Sequence, residues 1–375
     1  MKVYVGIDAH TTNYTLAAMF AIDQDPINVN TYAPKISNIV SYCKDLKKRF
    51  GEDTEIITGY EAGTLGFSLR RDLEEMNIKC IVVAPSSIPG TEMNRKRRKK
   101  TDKRDAKAIA KSLLSHDYSE VHMPDKEDEA VRDYIRLRED IKQDQKRTKQ
   151  RIGAFCHRHG FHYSESKYWT KKHMEWLRSL PVEGMLKETL DGYLRSLNYH
   201  TDRINELDIK INAIAETDKY RESVHKLICF KGIKTLTALA LIVEIGDFTR
   251  FVKAKNFAAF LGLVSGENSS SDGQNLLGIT KQGNRFLRRL LTESAQCFSR
   301  FASRTKSKEL LQRQSGNTEE IIAYADKANE RLRKRYQRLV LISKKPANKA
   351  NTAVARELAC FIWGMMTGNT HTALA

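Results

Sequence analysis

The chain has 375 residues, of which 41% are hydrophobic and 29% are charged, and its formal net charge at pH 7 is +18. This composition is typical of a globular protein with a sizeable core, and the length suffices for two or three domains. Apolar runs such as Ala238 to Val243 are far too short to cross a bilayer, which excludes a membrane-spanning protein.

The excess positive charge is clustered, and a clustered excess favours a polyanionic partner. The first residues, "MKVYVGIDAH", lack the long apolar core of a signal peptide. We therefore expect a cytoplasmic, nucleoid-associated protein that binds no membrane. The six cysteines are scattered without a C-x-x-C pair, which favours reduced, buried thiols. The segment Cys156 to His162 has no second ligand pair elsewhere, so packing and phosphate contact are favoured over zinc binding.

The first hundred or so residues alternate between strand and helix patterns. β-rich runs predict strands in "KVYVGIDAH", "NYTLAAMFA", "INVNTYA", "EIITGYEAG" and "KCIVVAP". Helical spacing predicts helices in "ISNIVSYCKDLKKRF", "FSLRRDLEEMN" and "TDKRDAKAIAKSLL", the last with Thr101 as its N-cap. Three leading strands followed by alternating helices and strands predict an α/β domain, a mixed sheet with helices on its faces.

A strongly basic run adjoins the last of these helices. Eight of the ten residues from Arg95 to Arg104 are Lys or Arg, and Asp102 and Asp105 lie in or just beyond that run. Residues three apart on a helix share a face, so both carboxylates can point at one sheet edge. We interpret the basic run as a nucleic-acid contact and the two aspartates as ligands of the metal that cuts the nucleic acid.

Two further acids stand at the ends of predicted strands, Asp8 in the first and Glu61 in a later one. Two-metal phosphodiester cleavage needs several carboxylate oxygens within a few ångströms of one another, and hard oxygen ligands suit Mg²⁺. A single acid does not indicate a metal site, because a helix N-terminus, for example, favours Asp through the helix dipole alone. The set of four, on elements that an RNase H-like fold would use, predicts a magnesium-dependent nuclease site.

From about Lys126 the pattern changes to long charged helices, one from Glu127 to Ala154 and another from Leu186 to Ala215. The second helix carries mostly apolar residues seven apart, in the rows Leu190/Leu197/Ile204/Ile211 and Tyr193/His200/Leu207/Ile214. This repeat predicts a coiled coil, and a helix of a monomeric bundle fits the same pattern. Pairing of the first row between chains would join two copies of the protein.

A compact, mostly helical region follows, beginning with "LICFKGIKTLTALALIVEIGDFTRF". Its Gly232 turn resembles a helix-hairpin-helix, whose backbone amides can hold a DNA phosphate. A plain packing hairpin fits about equally well, because Lys234 stands where the second glycine is usual. A Ser/Gly/Asn loop from Ser265 to Asn275 then precedes a basic helix in "ITKQGNRFLRRLL".

Motifs at both ends of the chain point to one family. They are "GIDAH…GYEAG…KTDKRDAKAIA" and "KGIKTLTALALIVEIGDFTRF…FLGLVSGENSSSDGQNLLGITKQGNRFLRRLL", with "RHGFHYSESKYWTKKHMEWL" between them. Through these motifs, nearly the whole chain resembles the DEDD transposases of the IS110 group of insertion sequences. That group includes the Piv-like invertases and the bridge-RNA-guided recombinases.

The resemblance implies a RuvC-like (RNase H-like) nuclease domain at residues 1–122, a helical coiled-coil linker at 123–220 and a mostly α C-terminal transposase domain at 221–375. It also implies that DNA strands are cut and rejoined with Mg²⁺ and through a phosphoserine intermediate. The catalytic residues that it implies are Asp8, Glu61, Asp102, Asp105 and Ser270.

The serine of that set falls in a run of three serines. This chain reads Ser269-Ser270-Ser271-Asp272 where the family commonly has glycines, so Ser269 and Ser271 stay open as alternatives. The implied partners are donor and target DNA, a structured guide (bridge) RNA and further copies of the chain, in a homodimer or homotetramer. The expected nucleic-acid contacts are Arg95, Lys96, Arg97, Arg98, Lys99, Lys100, Lys281, Arg285 and Arg288.

Three other functions compete with a recombinase. A structure-selective endonuclease, similar to a Holliday-junction resolvase, would need the four acids without the C-terminal region. An actin-like ATPase or sugar kinase also opens with a motif similar to "VGIDAHTTNYT", but it would repeat the domain and carry a second Asp-Gly phosphate loop. A non-catalytic nucleic-acid scaffold would leave the acids as solvated surface.

Overall fold

The structure is a computed structural model that describes residues 1–21, 25–88, 101–165, 167–267, 276–299 and 305–370. The chain divides into two compact units, Met1–Met123 and Pro124–Ala375. Within the described ranges, no helix combines the length and the apolar character that a membrane crossing requires.

The first unit is built on a five-stranded mixed sheet with the strand order β3-β2-β1-β4-β5. Strands β1, β2 and β3 pair antiparallel, whereas β1, β4 and β5 run parallel. This arrangement confirms the predicted mixed sheet with helices. The strands are β1 (Lys2–Ala9), β2 (Tyr14–Met19), β3 (Ile27–Tyr32), β4 (Glu55–Glu61) and β5 (Lys79–Val83), and the helices are α1 (Ile36–Phe50), α2 (Ser68–Glu75) and α3 (Asp102–Ser115).

Side-chain alternation along the strands gives the sheet two apolar faces, as expected for a sheet covered on both sides. On one face, residues such as Ile7 and Tyr60 pack with the buried side chains of α1 and α2. On the other face, residues such as Tyr4 and Ile57 pack with Ile109 of α3. Helix α3 therefore lies across β1, β2 and β4 on the face opposite α1 and α2.

The second unit is mostly helical. Its helices are α4 (Lys126–Arg158), α5 (Lys171–Arg178), α6 (Gly184–Ala215), α7 (Arg221–Leu227), α8 (Thr235–Ile245), α9 (Ala254–Phe260), α10 (Arg285–Ala295), α11 (Lys308–Gln314), α12 (Glu319–Gln337) and α13 (Ala347–Thr367). A two-stranded antiparallel hairpin is formed by β6 (Ser265–Glu267) and β7 (Leu276–Ile279). One large apolar core joins α8 and α10 to the buried faces of α12 and α13.

Helices α4 and α6 pack against each other along their length. Asp125 caps α4 by accepting a hydrogen bond from the Asp128 backbone N–H at 2.7 Å. Midway along the pair, the Arg138 guanidinium donates two hydrogen bonds to the Asp208 carboxylate, at 2.8 and 3.0 Å. This planar two-point contact fixes the alignment of the two helices. The predicted long helices are thus confirmed, as an intrachain hairpin.

The heptad row of α6 is buried inside this single chain. Its members are between 0% and 8% exposed: Leu190, Leu197, Ile204 and Ile211. Leu190 and Leu197 pack with Ile152 and Phe155 of α4. Ile211 shares the large core with Val131 and Ile135 of α4. The prediction that this row pairs between two chains is therefore wrong, because helix α4 of the same chain already covers it. The alternative of a helix within a monomeric bundle fits the structure.

The Gly232 turn between α7 and α8 is closely packed. Gly232 has φ +87°, and a Cβ there would lie 2.3 Å from the Ser294 carbonyl oxygen. Its neighbours Phe230 and Ile233 are fully buried. The glycine is thus required by backbone conformation and by close packing, which favours the packing hairpin over the phosphate-binding one.

Intrachain burial of α6 predicts a sharp contrast between two of its apolar residues. Leu207 is 0% exposed and Ile209 is 72% exposed. We expect Leu207→Ala to lower the free energy of unfolding by about 2–5 kcal/mol, through lost transfer energy and a residual cavity. The control Ile209→Ala should change it by no more than about 0.5 kcal/mol. Urea unfolding followed by helical circular dichroism measures both. A greater loss from Ile209→Ala would contradict the intrachain packing and would indicate that a second chain covers that face.

Candidate active site

Two acids lie at the same edge of the sheet. Asp8 is the second-last residue of β1 and Glu61 is the last residue of β4. The parallel register pairs Ile7 with Tyr60, so the next residue on each strand is one of these acids. Because Ile7 and Tyr60 point toward α1 and α2, alternation turns both acids toward the face that α3 covers.

Helix α3 brings two more acids to this edge. Thr101 is its N-cap, as predicted, and the Thr101 carbonyl accepts from the Arg104 and Asp105 backbone N–H groups at 2.8 and 3.2 Å. Asp102 and Asp105 lie in the first turn, on the stripe that continues as the buried residues Ala106 and Ile109. Asp105 is half-buried, and its Oδ2 atom is shielded from solvent. The N-terminus of α3 therefore presents both carboxylates to the sheet.

Glycines in the sheet let α3 approach this closely. A Cβ on Gly6 would lie 2.1 Å from the Ala106 carbonyl oxygen and 2.4 Å from the Ala110 backbone nitrogen. A Cβ on Gly59 would meet the Leu113 side chain at 2.9 Å. Sequence reasoning did not single out Gly6, although a glycine inside a strand pattern is a signal of close backbone approach.

A histidine joins the acids. His10 Nε2 lies 3.3 Å from Asp8 Oδ2 and 3.9 Å from Asp102 Oδ1. The candidate ligand atoms of these three residues all lie within 4.8 Å of one another. Sequence reasoning missed His10, although it stands two residues after Asp8, the spacing at which strand residues share a face.

The donor set fits one divalent cation. Two ligands on opposite sides of a Mg²⁺ ion are about 4.2 Å apart, from a metal–oxygen distance of about 2.1 Å. The spread among Asp8, His10 and Asp102 needs only small side-chain adjustments to reach that spacing. Glu61 is exposed and does not belong to this group of three. The structure thus brings Asp8 and Asp102 together, places Asp105 on the same helix face, and leaves Glu61 at the neighbouring strand end.

The predicted serine nucleophile belongs to the second unit. Ser269, Ser270 and Ser271 lie outside the described residues, in the connection between β6 and β7. The base of this hairpin is tightly packed at two glycines. A Cβ on Gly262 would lie 2.1 Å from the Gln282 carbonyl oxygen, and one on Gly283 would lie 1.9 Å from the Phe260 carbonyl oxygen. The hairpin that carries the serine loop therefore begins and ends on closely packed backbone.

The predicted basic contacts differ in their surroundings. Residues Arg95 to Lys100 lie outside the described residues. Lys281 and Arg285 are exposed. Arg288 is half-buried, and its Nη1 donates to the Leu261 carbonyl at 2.9 Å. Burial, and then the nearby positive charge of Arg285, lower the pKa of the Arg288 guanidinium from its usual value. The Arg288 side chain is thus fixed in position by its hydrogen bond to the Leu261 backbone.

A buried carboxylate anchors the start of α10. Glu244 of α8 is 8% exposed and accepts hydrogen bonds from Arg136 Nη2 and Asn284 Nδ2, both at 2.9 Å. The Asn284 side chain also caps α10 by accepting from the Leu287 backbone N–H at 3.0 Å. Helices α4, α8 and α10 are therefore tied together where the basic helix begins.

Comparison with known proteins adds a family assignment to this geometry. Residues 224–312 match the model described as "Transposase IS116/IS110/IS902 family". Residues 5–158 match a second model, described as "Transposase", for the DEDD transposases of the IS110 type. The first match includes the β6–β7 hairpin, and the second includes all four acids.

Curated relatives cover most of the chain. It is 33% identical to the transposase for insertion sequence element IS1533 of Leptospira borgpetersenii, over 90% of this chain and 96% of the relative. It is 32% identical to the putative transposase y4qE of Sinorhizobium fredii, over 82% of this chain and 74% of that protein. A transposase for insertion sequence element IS1111A of Coxiella burnetii is 23% identical over 78% of this chain and 72% of its own length.

Proposed function

Because the chain belongs to the IS116/IS110/IS902 family and is a DNA transposase, we propose that it cuts and rejoins DNA strands with metal-binding carboxylates and a nucleophilic serine. The observation that carries this proposal is the meeting of Asp8 and Asp102 at one sheet edge, with Asp105 on the same helix face as Asp102. We further propose that the first unit is a RuvC-like, RNase H-like nuclease. The strand order β3-β2-β1-β4-β5, with antiparallel leading strands and parallel following ones, supports this assignment.

In the proposed mechanism, Asp8, Glu61, Asp102 and Asp105 would hold Mg²⁺. When bound, the cation stabilises negative charge on the attacking and leaving oxygens of the phosphodiester. Asp8 and Asp102 would supply ligand oxygens from two different elements, β1 and α3. Asp105, whose Oδ2 is shielded from solvent, would contribute its carboxylate from the same face of α3 as Asp102. Exposed Glu61 would contribute its carboxylate from the end of the neighbouring strand β4.

The serine hydroxyl explains how a cut strand can be rejoined. Attack of the serine Oγ on phosphorus forms a phosphoserine bond, breaks one phosphodiester bond and releases a DNA hydroxyl, while the serine proton passes to a base. The reverse attack by a DNA hydroxyl re-forms the phosphodiester and frees the serine. The energy of the DNA bond is kept in the phosphoserine, so no ATP is required. Because a serine hydroxyl is a weak nucleophile, a metal or a base must activate it before it attacks.

The covalent intermediate gives the test of the proposed function. We expect Ser270→Ala to abolish the adduct between protein and labelled DNA after denaturing quench, while DNA binding persists. Ser269→Ala and Ser271→Ala are the matched controls and should retain the adduct. If Ser271→Ala or Ser269→Ala abolishes it instead, the nucleophile is that serine. Strand cleavage with no adduct in the wild-type chain would refute the recombinase mechanism and support a structure-selective endonuclease.

Nucleic-acid partners follow from the same proposal. We propose that donor DNA, target DNA and a structured guide RNA bind through the basic run Arg95 to Lys100 and through Lys281, Arg285 and Arg288. A homodimer or homotetramer would let several strands be cut in one assembly. Because the heptad row of α6 is buried within the chain, such an assembly would have to use another surface. We also propose that the nuclease domain ends at residue 122, that the helical linker spans residues 123–220, and that the C-terminal transposase domain begins at residue 221.

The basic run predicts a change in salt dependence. Replacing Arg97, Arg98 and Lys99 with Ser should weaken binding across unrelated DNA sequences and flatten the plot of log affinity against log salt. The slope should fall by about 0.9 for each lost contact to duplex phosphate. A triple Ser variant at Lys44, Lys48 and Arg49, exposed residues of α1, removes the same charge elsewhere. Equal slopes for both triple variants would show that the run acts only through net charge.

A further inference from the structure

His10 lies in the connection between β1 and β2, beside the acidic edge. Its backbone N–H donates to the Asn13 carbonyl at 2.9 Å, which fixes the turn that follows Asp8. Its ring nitrogen Nε2 lies between two carboxylates, 3.3 Å from Asp8 Oδ2 and 3.9 Å from Asp102 Oδ1. The side chains of His10 and Asp102 are each 45% exposed, so an ion can enter from solvent.

We propose that His10 Nε2 is a direct ligand of the divalent ion held by Asp8 and Asp102, and that this nitrogen shifts the selectivity of the site toward Mn²⁺ relative to Mg²⁺. The inference rests on the proposed function only in taking the two carboxylates as ligands of that ion. It adds a nitrogen donor that the four acids do not contain.

The chemistry of the donors gives the direction of the preference. Mg²⁺ is a hard ion that favours oxygen ligands in near-ideal octahedral geometry. Imidazole nitrogen favours transition metals, whose affinity for nitrogen-containing sites rises from Mn²⁺ along the first row. A neutral imidazole also adds no negative charge, so it contributes little to Mg²⁺ binding. Its presence should therefore change the selectivity of the site more than its overall affinity.

A different role for His10 has a different signature. If His10 only holds the Asp8 carboxylate in place through the 3.3 Å contact, removing it should weaken binding of both ions by the same factor. If His10 binds the ion, its removal should weaken Mn²⁺ binding much more than Mg²⁺ binding. The comparison of two metals thus separates a ligand from a positioning residue.

The experiment is a Mn²⁺ titration of the full chain by electron paramagnetic resonance, with Mg²⁺ affinity measured by competition. We expect His10→Ala to raise the Kd for Mn²⁺ by at least about tenfold, the lower end of the cost of losing a supporting residue of a metal site. The Kd for Mg²⁺ should change much less. Electron spin echo modulation from a directly bound ¹⁴N nucleus should be present in the wild-type chain and absent in His10→Ala.

Two further variants complete the test. His10→Gln keeps a hydrogen-bonding side chain and should still lose the ¹⁴N signal, whereas His157→Ala, an exposed histidine of the second unit, should keep it. Equal loss of affinity for both metals, or no ¹⁴N signal in the wild-type chain, would overturn the inference. Asp8→Asn separates this from the proposed function. Undiminished Mn²⁺ binding by that variant would refute the carboxylate site itself, whereas lost binding supports it.

Discussion

Asp8→Asn should lower the rate of DNA strand cleavage by at least about a thousandfold, because a lost metal ligand removes several kcal/mol of transition-state stabilisation. Asparagine has nearly the same shape as aspartate, so β1 and its packing should be kept. The change removes the negative charge that lies 3.3 Å from His10 Nε2 and beside Asp102. The measurement is the single-turnover cleavage of labelled DNA at saturating protein.

Asp117→Asn is the matched control. Asp117 is an exposed acid of the same unit that lies just beyond the opposite end of α3. Its substitution therefore removes the same charge at a place away from the candidate site. Cleavage by this variant should match that of the wild-type chain. The thermal stabilisation produced by divalent cations should also be lost only in Asp8→Asn, because an ion that binds the folded chain raises its stability. Full cleavage by Asp8→Asn would remove this carboxylate from the mechanism.

Gly6→Ala, one added methyl group, should both destabilise the first unit and inactivate the enzyme. The new Cβ would lie 2.1 Å from the Ala106 carbonyl oxygen and 2.4 Å from the Ala110 backbone nitrogen. Neither atom can turn away as a side chain could, so the whole of α3 must move off β1. We expect a loss of about 3 kcal/mol in the free energy of unfolding, the upper end of the usual cost of overpacking. The shift would also carry Asp102 and Asp105 away from Asp8, so cleavage should fall with stability.

Gly192→Ala provides the same chemical change in an open place. Gly192 lies within α6, and a Cβ there would meet nothing within 4 Å. Since glycine is a poor helix residue, this variant should raise the free energy of unfolding by about 0.5–1 kcal/mol. Thermal unfolding and the cleavage assay compare the two. If Gly6→Ala keeps wild-type stability and activity, the close approach of α3 to β1 is not what positions the acids.

Local patterns were enough to predict much of the first unit. β-rich runs predicted all five strands of its sheet, and Thr101 was identified as the N-cap of α3. The acids Asp8 and Glu61 were correctly placed at strand ends because strand boundaries depend on nearby residues. The spacing of Asp102 and Asp105 was likewise sufficient to place them on one helix face.

Contacts between distant residues could not be read from those patterns. The meeting of Asp8 with Asp102 depends on how α3 crosses the sheet, and that crossing depends on Gly6, whose role is visible only when the Ala106 backbone is seen above it. The heptad row of α6 shows the same limit. A seven-residue apolar period requires that a helix cover the row, but it does not specify whether that helix belongs to the same chain. Helix α4, joined to α6 by Arg138 and Asp208, provides the cover within one chain.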